Sequence, residues 1–226
     1  MVEKTQQKKG PSRAKKGRIT RQKLLAKAVE IADKKGIAEV SMRKLAARFN
    51  VEAMSLYHHV KNKEDLFSGM VDLVLGEIEF ARDIHDWRTS MRERAISTRQ
   101  VLQKHPWALG LLESRPDPGP MTLAYHDAVI GVLLKGGFSL AMTAHAFSLL
   151  DAYTYGFIMQ EEALPFDDRE QMEMVAAGIL ASMPEGKYPH LKRMTLEHVL
   201  KPGYSFHKEF LYGLDMILDS LALKLP

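Results

Sequence analysis

The sequence predicts an all-α protein with a small N-terminal helix-turn-helix domain of three helices and a larger helical body. From Thr20 onwards, apolar residues recur at spacings of three and four, the periodicity of one helix face. No segment shows the alternation of a half-buried strand, and prolines or glycines separate the helical segments. We expect a disordered basic arm at residues 1–17, the helix-turn-helix domain at 18–66 and the body at 67–226.

The composition narrows the class of protein. Hydrophobic residues make up 46% and charged residues 27%, as in soluble globular proteins. The longest apolar run, around residues 128–134, is far below the roughly 18 residues of a membrane span, and the N-terminus lacks a signal-peptide core. A cytoplasmic protein without membrane contact is expected. The absence of cysteine excludes disulfides, thiolate zinc sites and cysteine nucleophiles, and we expect no metal and no cofactor.

The charge is divided unevenly along the chain. Residues 1–63 contain 17 Lys and Arg against 5 Asp and Glu, whereas residues 64–226 contain 15 against 23. A basic segment joined to an acidic remainder is typical of a polyanion-binding module attached to a body with another task. A solvated lysine-rich tail explains the first 17 residues, which have too little apolar content to fold, but not the basic residues within the helical segments.

Capping residues mark the first two helices. Thr20 is a suitable N-cap for the first, and Gly36 a suitable stop. Ser41 offers a capping hydroxyl to a second helix over Met42–Phe49, which is only about two turns long. A helix of that length is not stable alone, so it must be held by packing.

A tight turn and a third short helix follow. Asn50 tolerates the left-handed conformation that a sharp turn needs, and the next apolar run begins near Ala53. Asn62, followed by acidic residues, predicts the start of a fourth helix that continues to about Phe80. Beyond Trp87 we expect helices near 87–104, 106–113, 119–135, 139–163, 168–182, 190–200 and 204–223.

Two short helices joined by about four residues form the helix-turn-helix arrangement, in which the first helix braces the second against DNA. With Leu56 and Val60 turned inward, helical geometry sends Met54 and His58 outward. The outward face is small, polar and aromatic rather than acidic, as a DNA-facing surface requires.

The stretch "VSMRKLAARFNVEAMSLYHHVKNKEDL" resembles the DNA-binding domain of the TetR family of bacterial transcriptional regulators, in particular its "LYxHVxNKxxL" segment. "HPWALGLLESRPDPGP" and "LLKGGFSLAMTAHAFSLLDAYTYGF" are similar to the C-terminal domain of the tetracycline-repressor branch. The resemblance implies a homodimer with two DNA-binding heads and a ligand-binding and dimerisation body. It also implies repression of transcription that a small-molecule effector relieves by releasing operator DNA.

The resemblance assigns the DNA contacts. The recognition helix, Ala53 to His59, enters the major groove, where the side chains of Ala53 and Met54 can contact thymine methyl groups. None of its outward side chains can make two hydrogen bonds to one base, so Arg43 on the preceding helix is a further candidate for a base contact. Ser41 can both cap its helix and contact a phosphate. The candidates are Ser41, Arg43, Ala53, Met54, Ser55 and His58, with Tyr57, His59 and Lys63 on phosphates.

The body residues are assigned more loosely. An effector pocket is expected among aromatic and polar side chains that can equally be core: Trp107, Tyr125, His126, Phe147, Tyr153, Tyr155 and Met159. Family members pair C-terminal helices across a dimer, which implicates the apolar stripe Phe210, Leu214, Ile217, Leu218 and Leu221. Leu111, Ala152 and Gln160 stand where the tetracycline repressor has ligand-binding polar residues, so the resemblance does not extend to magnesium–tetracycline and the effector is unknown.

Two other classes of function stay open at this point. An enzyme using the C-terminal pocket is one, although the sequence has no phosphate-binding glycine loop, no G-x-S-x-G and no H-E-x-x-H. A non-specific nucleic-acid binder that acts through the basic arm is the other.

Overall fold

The computed structural model describes residues 18–82, 86–112 and 118–225, and within these ranges the regular secondary structure is entirely helical, which confirms the predicted fold class. The predicted disordered arm at 1–17 lies outside the described residues. The helices are α1 (Arg21–Lys35), α2 (Met42–Phe49), α3 (Ala53–Leu56), α4 (Lys63–Leu75), α5 (Trp87–Lys104), α6 (Pro106–Leu109), α7 (Pro120–Lys135), α8 (Leu140–Glu162), α9 (Arg169–Ser182), α10 (Pro189–Met194) and α11 (Phe206–Ala222).

The predicted caps of the N-terminal helices are confirmed. The side chains of Thr20, Ser41 and Asn62 each accept a hydrogen bond from the backbone N–H three residues on, at 3.3, 3.3 and 2.7 Å. Asn50 adopts the left-handed conformation, with φ at 52°. These local interactions set where each helix begins and ends.

Two predicted helix ends are wrong. The recognition helix was expected to run to His59, but α3 ends at Leu56 and the chain continues as turns in which the His59 N–H donates to the Leu56 carbonyl at 2.9 Å. The helix expected to reach Phe80 ends at Leu75. There the chain leaves the helix to bury Ile78, and the Glu79 N–H donates to the side chain of Ser97 on α5 at 2.9 Å.

The segments predicted beyond Trp87 all contain helices. The segment 106–113 is helical only over α6, and 190–200 divides into α10 and a π-helical turn at Thr195–Val199. No described helix is long and apolar enough to cross a membrane.

Two hydrophobic cores organise the described residues. The head core is formed by α1 to α3 and the first half of α4, and the body core by the second half of α4 with α5, α7, α8 and α11. Along α4, Leu66 and Met70 belong to the head core, while Val71 and Val74 belong to the body core. Helix α4 therefore crosses the predicted domain boundary at 66/67 and contributes to both cores.

Candidate functional site

The outward face of the helix-turn-helix unit is exposed as the sequence predicts. Leu56 and Val60 are buried in the head core, whereas Met54 is 73% exposed and Tyr57 44% exposed. His58 is also exposed. Three neighbouring side chains therefore project from the end of the head without an acidic residue among them.

Several other predicted DNA contacts on this face already take part in hydrogen bonds with the backbone or are partly buried. The Ser55 hydroxyl donates to the carbonyl of Glu52 at 2.7 Å, a bond that a base contact would have to share or replace. Ser41 caps α2. Ala53 and His59 are half-buried, and the His59 carbonyl accepts a hydrogen bond from Arg21 at 2.9 Å.

Arg43 and Lys63 supply positive charge beside this face. Arg43 is exposed on α2, and no described residue forms an ion pair with it. Lys63 is the first residue of α4, and its Nζ lies 5.1 Å from the ring centroid of Phe67. A cation at a capped helix N-terminus, next to exposed aromatic and imidazole side chains, suits a phosphate.

An ion pair holds the recognition unit against the rest of the head. The Arg21 guanidinium on α1 makes two hydrogen bonds to the Asp65 carboxylate on α4, at 3.0 and 2.6 Å. The bond from Arg21 lowers the pKa of Asp65 below its ordinary value despite the opposing effect of partial burial. Asp65 also accepts from the Lys61 N–H at 2.8 Å, so one carboxylate fixes α1, α4 and the turn between α3 and α4.

In the body, three of the predicted pocket residues come together around an arginine that sequence reasoning did not single out. Tyr125, His126 and Phe147 form consecutive ring contacts, with centroids 5.5 and 5.4 Å apart. Arg94 of α5 lies over the rings of Tyr125 and Phe147 at 5.2 and 5.5 Å. The predicted aromatic cluster therefore encloses a positive charge.

Arg94 is a buried charge with fixed partners. Its side chain is 2% exposed, its Nε donates to the Tyr125 hydroxyl at 2.7 Å, and its Nη2 forms an ion pair with Asp151 of α8. Burial lowers the pKa of Arg94, but Tyr125 and Asp151 raise it by more, so its pKa lies above the ordinary arginine value. Burial also raises the pKa of Tyr125. The guanidinium stays charged and the phenol neutral at neutral pH.

A groove of about 350 Å³ between α7 and α8 opens beside this cluster. His126, Ile130, Phe147 and Thr143 line it. Thr143 is buried, and its hydroxyl has no hydrogen-bond partner among the described residues. A mostly apolar groove with one unsatisfied buried hydroxyl fits a small apolar ligand that carries a polar atom.

The structure does not bring the other predicted pocket residues into this groove. The Tyr153 hydroxyl donates to the Phe210 carbonyl at 2.8 Å and its ring stacks on Phe210, so it joins α8 to α11. Tyr155 is partly buried against the body core, and Met159 is exposed on α8. Periodicity alone does not distinguish the faces of α8, because apolar residues surround this helix on most sides.

Trp107, the seventh predicted pocket residue, lies instead at the junction of head and body. Its indole Nε1 donates to Asp33 on α1 at 2.7 Å, and its ring packs against both cores. His105 is 1% exposed and lies between two carboxylates, with Nδ1 2.6 Å from Asp33 and Nε2 3.4 Å from Glu77. A ring pair and two carboxylates thus join the end of α5 to the DNA-binding head.

The predicted dimer stripe is mostly occupied within one chain. Phe210, Leu214, Leu218 and Leu221 are buried, and α11 packs on α5 and α8. Ile217 is partly buried against the same core. The four buried side chains fill the body core of one chain and leave little surface for a partner, and a dimer interface at this stripe stays a prediction. The outward side of α11 carries Tyr212 and Met216, and Leu223 follows its last turn; all three are exposed.

Sequence reasoning missed Arg94, Asp151, Asp33 and His105. A signal existed for Arg94, which lies between Met91 and Thr98 on the buried face of its helix. No comparable signal marks Asp33 and His105, because they are distant in sequence and meet only through tertiary packing. Within the described ranges, no three potential metal ligands are grouped.

Comparison with known proteins connects both regions to one family. Residues 24–70 match the model described as bacterial regulatory proteins, tetR family, and residues 81–225 match the tetracyclin repressor-like C-terminal domain. An HTH-type transcriptional regulator of Saccharopolyspora erythraea is 33% identical over 174 residues, which cover 76% of this chain and 73% of the relative. The HTH-type transcriptional repressor DrrR1 of Streptomyces coeruleorubidus is 30% identical over 222 residues, covering 94% and 81%.

Among solved structures, the TetR family protein ActR of Streptomyces coelicolor in complex with actinorhodin has the same fold. The TM-score is 0.74 at 24% sequence identity, and the match covers 92% of this chain and 98% of ActR.

Proposed function

Because the chain belongs to the TetR family of bacterial transcriptional regulators, we propose that it is a homodimeric repressor that releases its operator when a small molecule binds the body. It is a DNA-binding regulator and not an enzyme. The observation that carries the proposal is the capped helix-turn-helix unit with an exposed non-acidic face, joined by α4 to a body that contains a groove.

The DNA contacts are proposed to divide by chemistry. Met54 is the most exposed large side chain of the recognition unit and suits a thymine methyl group. Tyr57, His59 and Lys63 present polar groups or charge to phosphates, which contribute affinity rather than sequence preference. His58 is exposed beside Met54 as a candidate for base edges. Arg43 is the residue with the right shape for a guanine edge, since its guanidinium has no protein partner among the described residues.

The groove between α7 and α8 is proposed as the effector site. Once the buried Thr143 hydroxyl turns towards the groove, it can pair with a hydrogen-bonding atom of the effector, whose apolar part would lie against Ile130 and Phe147. ActR has been solved in complex with actinorhodin, which supports a small-molecule effector without identifying the one used here.

Two contacts support a route from this groove to the head. Asp72 of α4 accepts hydrogen bonds from the N–H and hydroxyl of Thr122 at 2.8 and 2.9 Å, so the start of α7 is fixed to α4. At the other side of the body, Asp33 of α1 binds His105 and Trp107. A movement of α7 would therefore be passed to α4, whose first residue, Lys63, belongs to the DNA face.

The homodimer is proposed to use the exposed side of α11 together with the small residues of α8. Tyr212 and Met216 are exposed on α11, while on α8 Ala152 is exposed and Gly156, one turn further on, is partly exposed. Small residues allow helices from two chains to approach closely, and the apolar side chains of α11 supply area to bury.

The proposal is tested by selecting duplexes from a random-sequence pool with the full-length protein at physiological salt. A palindrome with half-sites about one helical turn apart is expected, and a variant lacking residues 1–17 should retain the same preference. Salt-sensitive binding without an enriched sequence, or loss of all binding on removal of the arm, would instead support a non-specific binder.

A further inference from the structure

A second cavity, of about 420 Å³, lies where the end of α5 meets the end of α8 and the beginnings of α9 and α11. It shares no lining residue with the groove between α7 and α8. The floor, one wall and the rim of this end cavity differ in chemistry, and each restricts what can bind.

The floor of the end cavity is electrically balanced. Arg99 of α5 forms a two-point ion pair with Glu161 of α8, with Nε 2.9 Å from Oε2, and Gln103 donates to the same oxygen at 2.9 Å. The Arg99 guanidinium also lies 5.5 Å from the ring of Phe210. Because its charge and its hydrogen-bonding groups are engaged, Arg99 does not favour an anionic occupant.

One wall is aromatic. Phe206 at the start of α11 makes ring contacts with Tyr204 and Phe166, at centroid distances of 6.0 and 6.2 Å. Burial raises the pKa of Tyr204, so this wall is neutral at physiological pH. A planar aromatic ring can stack here at little cost in side-chain rearrangement.

The rim is acidic. Glu162, Asp167 and Asp168 line the cavity, and among the described residues no cation pairs with any of the three. Arg169 also lines the cavity, but its guanidinium is engaged, since it pairs with Glu173 at 2.7 Å and donates to the Leu200 carbonyl at 3.1 Å. Carboxylates beside an aromatic wall attract a cation whose ring can lie on that wall.

We propose that the end cavity is a second small-molecule site and that it takes a planar aromatic amine in its protonated form. This inference rests on the proposed function for its regulatory consequence. Gln103 lines the cavity and lies two residues before His105, which contacts the head through Asp33. An occupant that packs against the last turn of α5 therefore acts on the junction between body and head.

The probes that test the site are 9-aminoacridine, a planar cation, and acridine-9-carboxylate, which places an anion on the same ring. Binding to the full chain without DNA is followed by fluorescence anisotropy. We expect the cation to bind and the anion to bind at least about tenfold more weakly. The double variant Glu162→Gln/Asp167→Asn should weaken the cation by about three- to tenfold, and Phe166→Ala should weaken it through loss of stacking.

Glu185→Gln is the matched control, because Glu185 is an exposed carboxylate that does not line the cavity. Equal binding of both acridines, or equal effects of the rim variant and the control, would overturn the site. The regulatory part is read by amide hydrogen exchange in residues 99–108, which should slow with bound 9-aminoacridine. Binding with unchanged exchange in this segment would overturn that part.

The experiments distinguish a failure of the end-cavity proposal from a failure of the repressor proposal. The rim variant should bind the selected operator like the unmodified protein when no acridine is present, because its carboxylates lie in the body. If selection enriches a palindrome but neither acridine binds, the operator function stands and the end cavity is not this site. If no sequence is enriched, the repressor proposal fails whatever the acridines do.

Discussion

Replacing Asp151 with alanine is expected to destabilise the body strongly, because it removes the counter-charge of Arg94. The Arg94 side chain is 2% exposed and the Asp151 side chain 13% exposed, so water can solvate the guanidinium only poorly once its partner is gone. Removing one partner of a buried ion pair costs roughly 3–5 kcal/mol. We expect about 3 kcal/mol, the lower end of that range, because Tyr125 still accepts the hydrogen bond from Nε.

The double variant Arg94→Met/Asp151→Leu is the more decisive test, because removing both charges should cost less stability than removing one. Arg94→Met alone should cost about 2 kcal/mol, since Tyr125 loses its partner while Asp151 keeps some contact with water. Removing both charges eliminates the uncompensated ion, so the double variant should lie within about 1 kcal/mol of the unmodified protein.

The assay is urea unfolding followed by circular dichroism at pH 7 and one fixed protein concentration, because the stability of the proposed dimer would depend on concentration. Asp219→Ala is the control, since Asp219 pairs with Arg88 on the surface, and it should cost less than about 1 kcal/mol. Equal losses for Asp151→Ala and Asp219→Ala would refute the reasoning, and so would a double variant that loses the sum of the single losses.

Three further outcomes are expected. Tyr57→Ala and Lys63→Ala should each weaken binding to selected and random duplexes alike by about 1 kcal/mol, as measured by anisotropy; a loss limited to the selected duplex would contradict a phosphate role. Met216→Glu should give folded monomers in sedimentation, whereas Leu214→Glu should unfold the body, and a dimer of Met216→Glu would exclude the α11 interface. Asp65→Asn should cost about 1 kcal/mol at pH 7. Because the folded-state pKa of Asp65 is lowered, its stabilisation is present above about pH 4 and is lost as the pH falls further, so an unchanged difference at pH 3 would refute the Asp65 explanation.

The DNA-binding head was largely predictable because its signals are local. Thr20, Ser41 and Asn62 cap the helices that follow them, and Asn50 supplies a left-handed turn. Each interaction joins residues at most a few positions apart, so it can be read from the order of residues. The end of α3 was less predictable. Helix and turns differ there only in which backbone carbonyl accepts the hydrogen bond from each N–H, and no side chain marks that change.

The body shows where such reading fails. The helices of the C-terminal half were predicted within a few residues, but periodicity identifies an apolar face without naming the surface that covers it. The resemblance implicates the stripe of α11 in a dimer interface, and the structure buries Leu214 of that stripe within its own chain. Trp107 was assigned to a pocket for the same reason, and its partner Asp33 lies 74 residues earlier.

Residues close together in the chain specify an all-helical regulator with a short capped helix-turn-helix unit, because periodicity, caps and the "LYxHVxNKxxL" resemblance are local features. The packing of the helices places Arg94 in a buried pair with Asp151, lets His105 join the body to the head, and brings aromatic and acidic residues together in the end cavity. Those properties depend on the distances between helices and on the water that their packing excludes, and neither is encoded within any single segment.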